Sequence, residues 1–207
     1  MKQLSILICS ITGREHLLQR LLSILLNGQW QHTRENYSEH IVDYYFIHDV
    51  EIIVYTDSKQ ISIGTKRNRL VKFSIGRYIS FIDDDDTVEP DYIPLILEKI
   101  NLSPDCVVFD AMRYVNGIRD KQVKYGVEYT KDFHDSKYYY RLPNHLMVFK
   151  KEIVLPVAYK DISFGEDSDF AQRVRRYILR QERIDKVLYH YLFTQQSTST
   201  VQQKPRR

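Results

Sequence analysis

The sequence predicts an α/β fold, with a mostly parallel sheet flanked by helices and then a less regular second half. Three observations predict it. Short apolar strands alternate with amphipathic helices up to about residue 112, the pattern of βαβ units. Polar residues follow each early strand, and in a parallel sheet such residues gather at the carboxyl edge, where ligands bind. From about residue 113 the pattern gives way to short strand-like pieces and Tyr-rich loops.

Leu4-Ser5-Ile6-Leu7-Ile8-Cys9 reads as the first strand, and Thr12-Gly13-Arg14 as the turn after it. Residues 15–26 form a helix with Leu17, Leu18, Leu21, Leu22 and Leu25 on one broad face, and Asn27-Gly28 ends it. Residues 29–48 read as an irregular, aromatic insertion. Residues 50–55 are a second buried strand, closed by Thr56-Asp57-Ser58, and a basic helix follows over 64–75. Residues 78–82 are a third strand that runs into Asp83-Asp84-Asp85-Asp86. A helix over 91–100 and a strand over 106–109 complete this half. Later, Gly165-Glu166-Asp167 opens a helix with Phe170, Val174, Tyr177 and Ile178 facing inward, and Val187-Leu188-Tyr189 is a last strand. From Gln195 the chain is a polar tail.

Lys and Arg number 30 against 27 Asp and Glu, and Lys204-Pro205-Arg206-Arg207 carries the whole excess. A uniformly basic nucleic-acid-binding body is therefore disfavoured. Cys9 and Cys106 each sit in an apolar run, which excludes a disulfide framework or a Cys-based zinc site. Two reduced thiols fit a cytoplasmic location. No apolar run approaches the roughly 20 residues that span a bilayer, so no transmembrane segment or signal peptide is expected, and peripheral membrane contact stays open. The 207 residues suit one domain with its own core.

Four consecutive aspartates after a buried strand repel one another unless a cation sits among them. Hard oxygen ligands suit Mg²⁺ or Mn²⁺ bridging to a phosphate, while the same run also reads as a solvated acidic turn before a helix. Asp57 is either a turn residue or a carboxylate for a nucleobase or ribose. Gly64-Thr65-Lys66-Arg67-Asn68, with Arg69 and Lys72 beyond, is either a solvated basic face or an anion site at a helix start. Asp167 is either a helix cap or a general base. His145 and His190 are isolated, the usual setting of a structural histidine. The run Tyr138-Tyr139-Tyr140 reads as packing or as a platform for an acceptor sugar.

Taken in order, these residues resemble the family-2-type glycosyltransferases with the GT-A fold. The likeness covers roughly residues 3–200. It rests on Leu4 to Arg14, Val50 to Ser58 and the Gly64 to Asn68 run. Gly76-Arg77-Tyr78-Ile79-Ser80-Phe81-Ile82-Asp83-Asp84-Asp85-Asp86 then carries the Asp-x-Asp motif. His145 to Ile153 follows, then Gly165-Glu166-Asp167 with Asp169, Phe170 and Arg173, and Tyr189-His190-Tyr191 before Ser197. Two positions depart from the family pattern: Ile11-Thr12 stands for the usual Pro-Thr, and Thr56-Asp57 for the usual acidic pair.

The resemblance implies a GT-A-like nucleotide-binding sheet and a single domain over 1–200. Its donor half covers about 1–112 and its acceptor half about 113–200, and residues 201–207 form a basic tail. It implies a metal-dependent, inverting transfer from a nucleotide sugar, UDP-sugar foremost, to a hydroxyl of a glycan or lipid-linked glycan. By position, Thr12, Arg14, Asp57, Lys66, Arg67, Asn68, Asp83 and Asp84 would bind the donor. Asp85, with Asp83, Asp86 and His190 as further candidates, would hold Mn²⁺ or Mg²⁺, and Asp167 would be the base. Three other readings compete. They are nucleotidyl transfer, transfer to a modified nucleic-acid base (thinly supported by the basic helix and tail), and a non-catalytic metal- or carbohydrate-binding module.

Overall fold

A computed structural model describes residues 2–194; the expected tail, including residues 201–207, and Ser197 lie outside the described residues. In chain order the elements begin with β1 (Leu4–Ile11), α1 (Glu15–Leu25), β2 (Gln31–Asn36), β3 (His40–Ile47), β4 (Val50–Asp57) and α2 (Ile63–Phe73). Next come β5 (Tyr78–Phe81), β6 (Thr87–Val88), α3 (Tyr92–Ile100), β7 (Cys106–Val115) and β8 (Ile118–Tyr125). The chain continues with β9 (Phe133–His134), β10 (Tyr138–Arg141), β11 (Val148–Lys150), α4 (Lys151–Val157), α5 (Glu166–Val174) and β12 (Gln181–Phe193).

The strands form one sheet in the order β2-β3-β4-β1-β5-β11-β7-β8-β10-β9, with β12 on β7 and β6 on β12. Its centre is the expected parallel unit: β1 pairs with β4 from Leu4↔Val50 to Ile11↔Asp57, and with β5 from Leu4↔Tyr78 to Leu7↔Phe81. Leu4, Ile6, Leu7, Ile8, Ile52, Ile53 and Val54 are fully buried, as strands covered on both faces must be. The strands added outside this centre are antiparallel, apart from β12 on β7 and β10 on β8. Because β1, β4 and β5 run the same way, the residues after each emerge at one edge. Arg14, Asp57 and the aspartate run therefore come close together.

Two expectations are corrected. Residues 29–48 are not irregular: β2 and β3 form an antiparallel hairpin, and β3 extends the sheet on β4 from His40↔Asp57 to Ile47↔Val50. Cross-strand pairs hold it, with His32 stacked on Tyr45 at 4.6 Å and Arg34 Nε 2.7 Å from Asp43. Every residue of β2 is exposed, so no alternation of apolar and polar residues marks the strand. Tyr177 does not face inward; it is 53% exposed on a 3-10 turn over Arg175–Tyr177, because α5 ends at Val174 and the helical phase breaks there.

Candidate functional site

A cleft of about 1650 Å³ opens at the carboxyl edge of β1 and β5. One wall carries Cys9, Arg14, Lys66, Arg67, Asp83, Asp84 and Asp85 with His145 beside them, and the other carries Arg113, Tyr139, Arg141 and Asp167.

The four aspartates do different work. β5 is followed by fully buried Ile82, and the chain then turns so that successive carboxylates diverge. Asp84 is buried and accepts hydrogen bonds from Ser10 Oγ at 2.8 Å and Arg14 at 2.9 Å. Asp86 is buried outside the cleft lining; it accepts from Tyr189 Oη at 2.6 Å and the Leu192 amide at 2.7 Å, tying β12 to this turn. Asp83 and Asp85 remain facing the cleft. Arg67 lies 3.3 Å and His145 3.4 Å from Asp83, while Arg14 lies 3.2 Å from Asp85. Desolvation in the cleft acts to raise Asp83, but His145 and Arg67 outweigh it and hold its carboxyl well below the usual range. Asp85 is pushed up to about 6 by burial and by the charge of Asp83, with Arg14 pulling the other way. Burial and the charges of Asp83 and Asp85 push Asp86 well above the usual carboxylate value.

The basic helix is not a solvated face where it matters. Ser62 caps α2 by accepting from the Thr65 amide at 3.0 Å, and Lys66 and Arg67 lie on its buried side. Gly64 is required because the chain at Lys160 passes against it: a Cβ there would overlap the Lys160 carbonyl oxygen. Lys66 Nζ donates to Asp57 Oδ1 at 2.5 Å and to the Ser10 carbonyl at 2.8 Å. Arg67 sits between Asp83 and Glu166, which is 3.5 Å away, with its guanidinium against the rings of Phe81 and Tyr159. Its Nε and Nη1 are buried without hydrogen-bond partners. Burial acts to lower its pKa, yet Asp83 and Glu166 carry it above the ordinary guanidinium value, so it stays charged.

Asp167 stands in the first turn of α5, after Gly165, whose φ of 80° turns the chain into the helix. It makes no helix-capping bond beyond α5's own start: Oδ1 accepts from the adjacent Ser168 amide, and Oδ2 lies 4.0 Å from His145 Nδ1.

Several residues singled out from the sequence are placed elsewhere. Asp57 is 3% exposed, its charge met by Lys66, and it does not line the cleft. Thr12 bonds Ser58 at 3.1 Å within the turn. The Asn68 amide clasps the backbone of Tyr159 through two 2.8 Å hydrogen bonds. His190 pairs with Glu89 at 2.7 Å beside Tyr114 and does not line the cleft. Conversely, Glu166, His145, Arg113 and Arg141 reach the cleft, although the sequence named none of them as a site residue. Of the tyrosine run only Tyr139 lines it, with Arg113, Lys121 and Arg141 within 5.1–5.6 Å of its ring.

Among the described residues no group of three or more His, Cys, Asp or Glu side chains converges as a metal cage. Asp83 and Asp85 fit instead the looser arrangement of a hard cation that takes one or two carboxylates and completes its shell with phosphate oxygens and water.

The family model described as glycosyl transferase family 2 matches residues 33–174. The chain belongs to this family. Its Asp-x-Asp run and Asp167 both fall within the matched stretch. No curated protein matches the chain. Among solved structures, S. aureus TarS 1-349 in complex with UDP-GlcNAc aligns with a TM-score of 0.67 at 12% identity, over 99% of this chain and 62% of that one. The same fragment in complex with UDP aligns with a TM-score of 0.64 at 12% identity, over 93% and 61%. The chain thus spans about three fifths of the fragment's length. At this identity the likeness establishes the fold, and the fold is GT-A-like, as the family resemblance implied.

Proposed function

We propose that this chain is an inverting glycosyltransferase that moves a sugar from a UDP-sugar to a hydroxyl of a glycan or lipid-linked glycan. One observation carries the reading. Asp83 and Asp85 from the donor half, about 1–112, share a cleft with Asp167 from the acceptor half, about 113–200. Inversion needs a base on the face of the sugar opposite the leaving group, and two walls built from different halves of one domain provide that separation.

Asp167 takes the proton of the acceptor hydroxyl, a contribution of roughly 10²–10⁴ in rate. Arg67 and Arg14 keep positive charge against the donor wall, where the departing diphosphate gathers negative charge. Asp83 and Asp85 are the residues that would hold Mn²⁺ or Mg²⁺, which when bound neutralises that charge. Tyr139 and its flanking cations face the acceptor side. Cys106 is buried and Cys9 half-buried at the cleft, where desolvation pushes its thiol up to about 12, and two free thiols suit a cytoplasmic enzyme. Among the described residues no helix is long and apolar enough to cross a membrane.

The test is product release from a panel of nucleotide sugars with Mn²⁺. Wild type releases nucleoside diphosphate, and Asp167→Asn and Asp85→Ala each lose at least about 100-fold while keeping a native circular dichroism spectrum. Wild-type rates in both variants would sink the assignment. Release of pyrophosphate would mark nucleotidyl transfer instead.

A further inference from the structure

His145 stands between the two carboxylates that the transfer reading uses. It precedes β11 and is 6% exposed. Its backbone is tied to the strand that leads to Asp83, because the Phe81 amide donates to the His145 carbonyl at 3.2 Å. The Asn144 side chain and carbonyl accept from the Leu146 and Met147 amides, which fixes the turn on either side. The ring is therefore held on the aspartate wall. One nitrogen, Nε2, lies 3.4 Å from Asp83 Oδ2. The other, Nδ1, is buried, makes no hydrogen bond, and lies 4.0 Å from Asp167 Oδ2. Buried polar nitrogens are nearly always satisfied in folded proteins. An orphan nitrogen facing the one carboxylate that must be aimed at an incoming hydroxyl marks a contact left for the working complex, since catalytic hydrogen bonds often tighten only there.

We propose that His145 is a positioning residue that refers both carboxylates to one ring: Nε2 sets the direction of Asp83 on the donor side, and Nδ1 draws Asp167 into line with the acceptor hydroxyl. The proposal rests on the glycosyl-transfer reading. It assigns the two ring nitrogens separable roles. Drawing a carboxylate to each nitrogen takes an N–H on both, and the unequal distances put the formed contact on the Asp83 side in this state.

Two amide substitutions separate the roles. The glutamine amide reaches about as far as Nε2, and the asparagine amide about as far as Nδ1. His145→Gln keeps the Asp83 side. It should leave UDP affinity, measured by calorimetry without turnover, within about two-fold, and lower kcat roughly 10–100-fold through a misaimed base. His145→Asn keeps the Asp167 side. It should weaken UDP binding by about 5–10-fold, the worth of one hydrogen bond, and change kcat far less. Equal losses of kcat and UDP affinity in both variants, tracking a fall in melting temperature, mean that the ring only packs, and overturn the proposal. So do wild-type values in both, or the reverse pattern. A wild type that binds UDP but turns over no sugar nucleotide fails the parent reading and takes this proposal with it; that result is distinct, because it appears before any His145 variant is measured.

Discussion

Asp57 and Lys66 show how the fate of one side chain is settled by what reaches it. Each is 3% exposed, and their 2.5 Å ion pair sits under the turn after β1. A buried pair adds little net stability, but removing one partner strands the other charge. Asp57→Ala is expected to cost about 3–5 kcal/mol, read as a lower urea midpoint. A role as nucleobase ligand makes the opposite forecast: an unchanged midpoint with lost UDP affinity. Within the aspartate run the same logic sorts four identical residues. Asp84 and Asp86 are held by Ser10, Arg14, Tyr189 and the Leu192 amide, whereas Asp83 and Asp85 meet only charged side chains at the cleft.

At the scale of elements, α2 and the turns around β7 are the joints. Gly64 lets α2 start against the Lys160–Ile162 segment, with its own amide donating to the Ile162 carbonyl at 3.1 Å. Gly64→Ala would drive a methyl group into backbone, which cannot yield as a side chain could. An overpacking cost of about 1–3 kcal/mol is expected, seen as a drop in melting temperature with reduced UDP binding, because Lys66 and Arg67 ride on the same turn. Asp105 joins three elements: its carboxylate accepts from the Leu179 and Arg180 amides before β12, each at 2.9 Å, and from Lys150 of β11 at 3.2 Å. Burial opposes ionisation, but these donors outweigh it and hold Asp105 below the ordinary carboxylate value. A depressed carboxylate stabilises the fold above its unfolded pKa of about 3.9, and that stability is lost as pH falls through the lower folded value. Asp105→Asn should therefore cost about 1–3 kcal/mol at pH 7, and the gap to wild type should close as the pH is taken below about 4 in a series of denaturant titrations.

At the scale of the molecule, the cleft sets opposite charges against each other, with Arg14 and Arg67 beside Asp83 and Asp85 on one wall. A nucleoside diphosphate and a divalent cation would together satisfy both. UDP at a hundred times its Kd should add about 2.7 kcal/mol, a rise of roughly 5–10 °C in melting temperature for a domain of this size. Mn²⁺ should enlarge that rise in wild type and not in Asp85→Ala. A melting temperature indifferent to UDP with Mn²⁺ would remove the donor site from the cleft.

The sequence by itself determined the α/β class, a mostly parallel sheet and the edge at which the chemistry gathers. It could do so because a strand buried on both faces must be continuously apolar, and polar residues can follow only where it emerges. It also brought Asp83, Asp85 and Asp167 forward, since a repelling acidic run and a helix-opening acidic pair are local signals. Only the tertiary structure decided which aspartates are free to act, that Lys66 answers Asp57, that residues 29–48 make a hairpin, and that His145 faces two carboxylates. Each of these depends on a partner on another element, nine residues away for Lys66 and Asp57 and more than sixty for His145 and Asp83. A carboxylate's availability is set by the donors that fold against it, and no local pattern records their arrival.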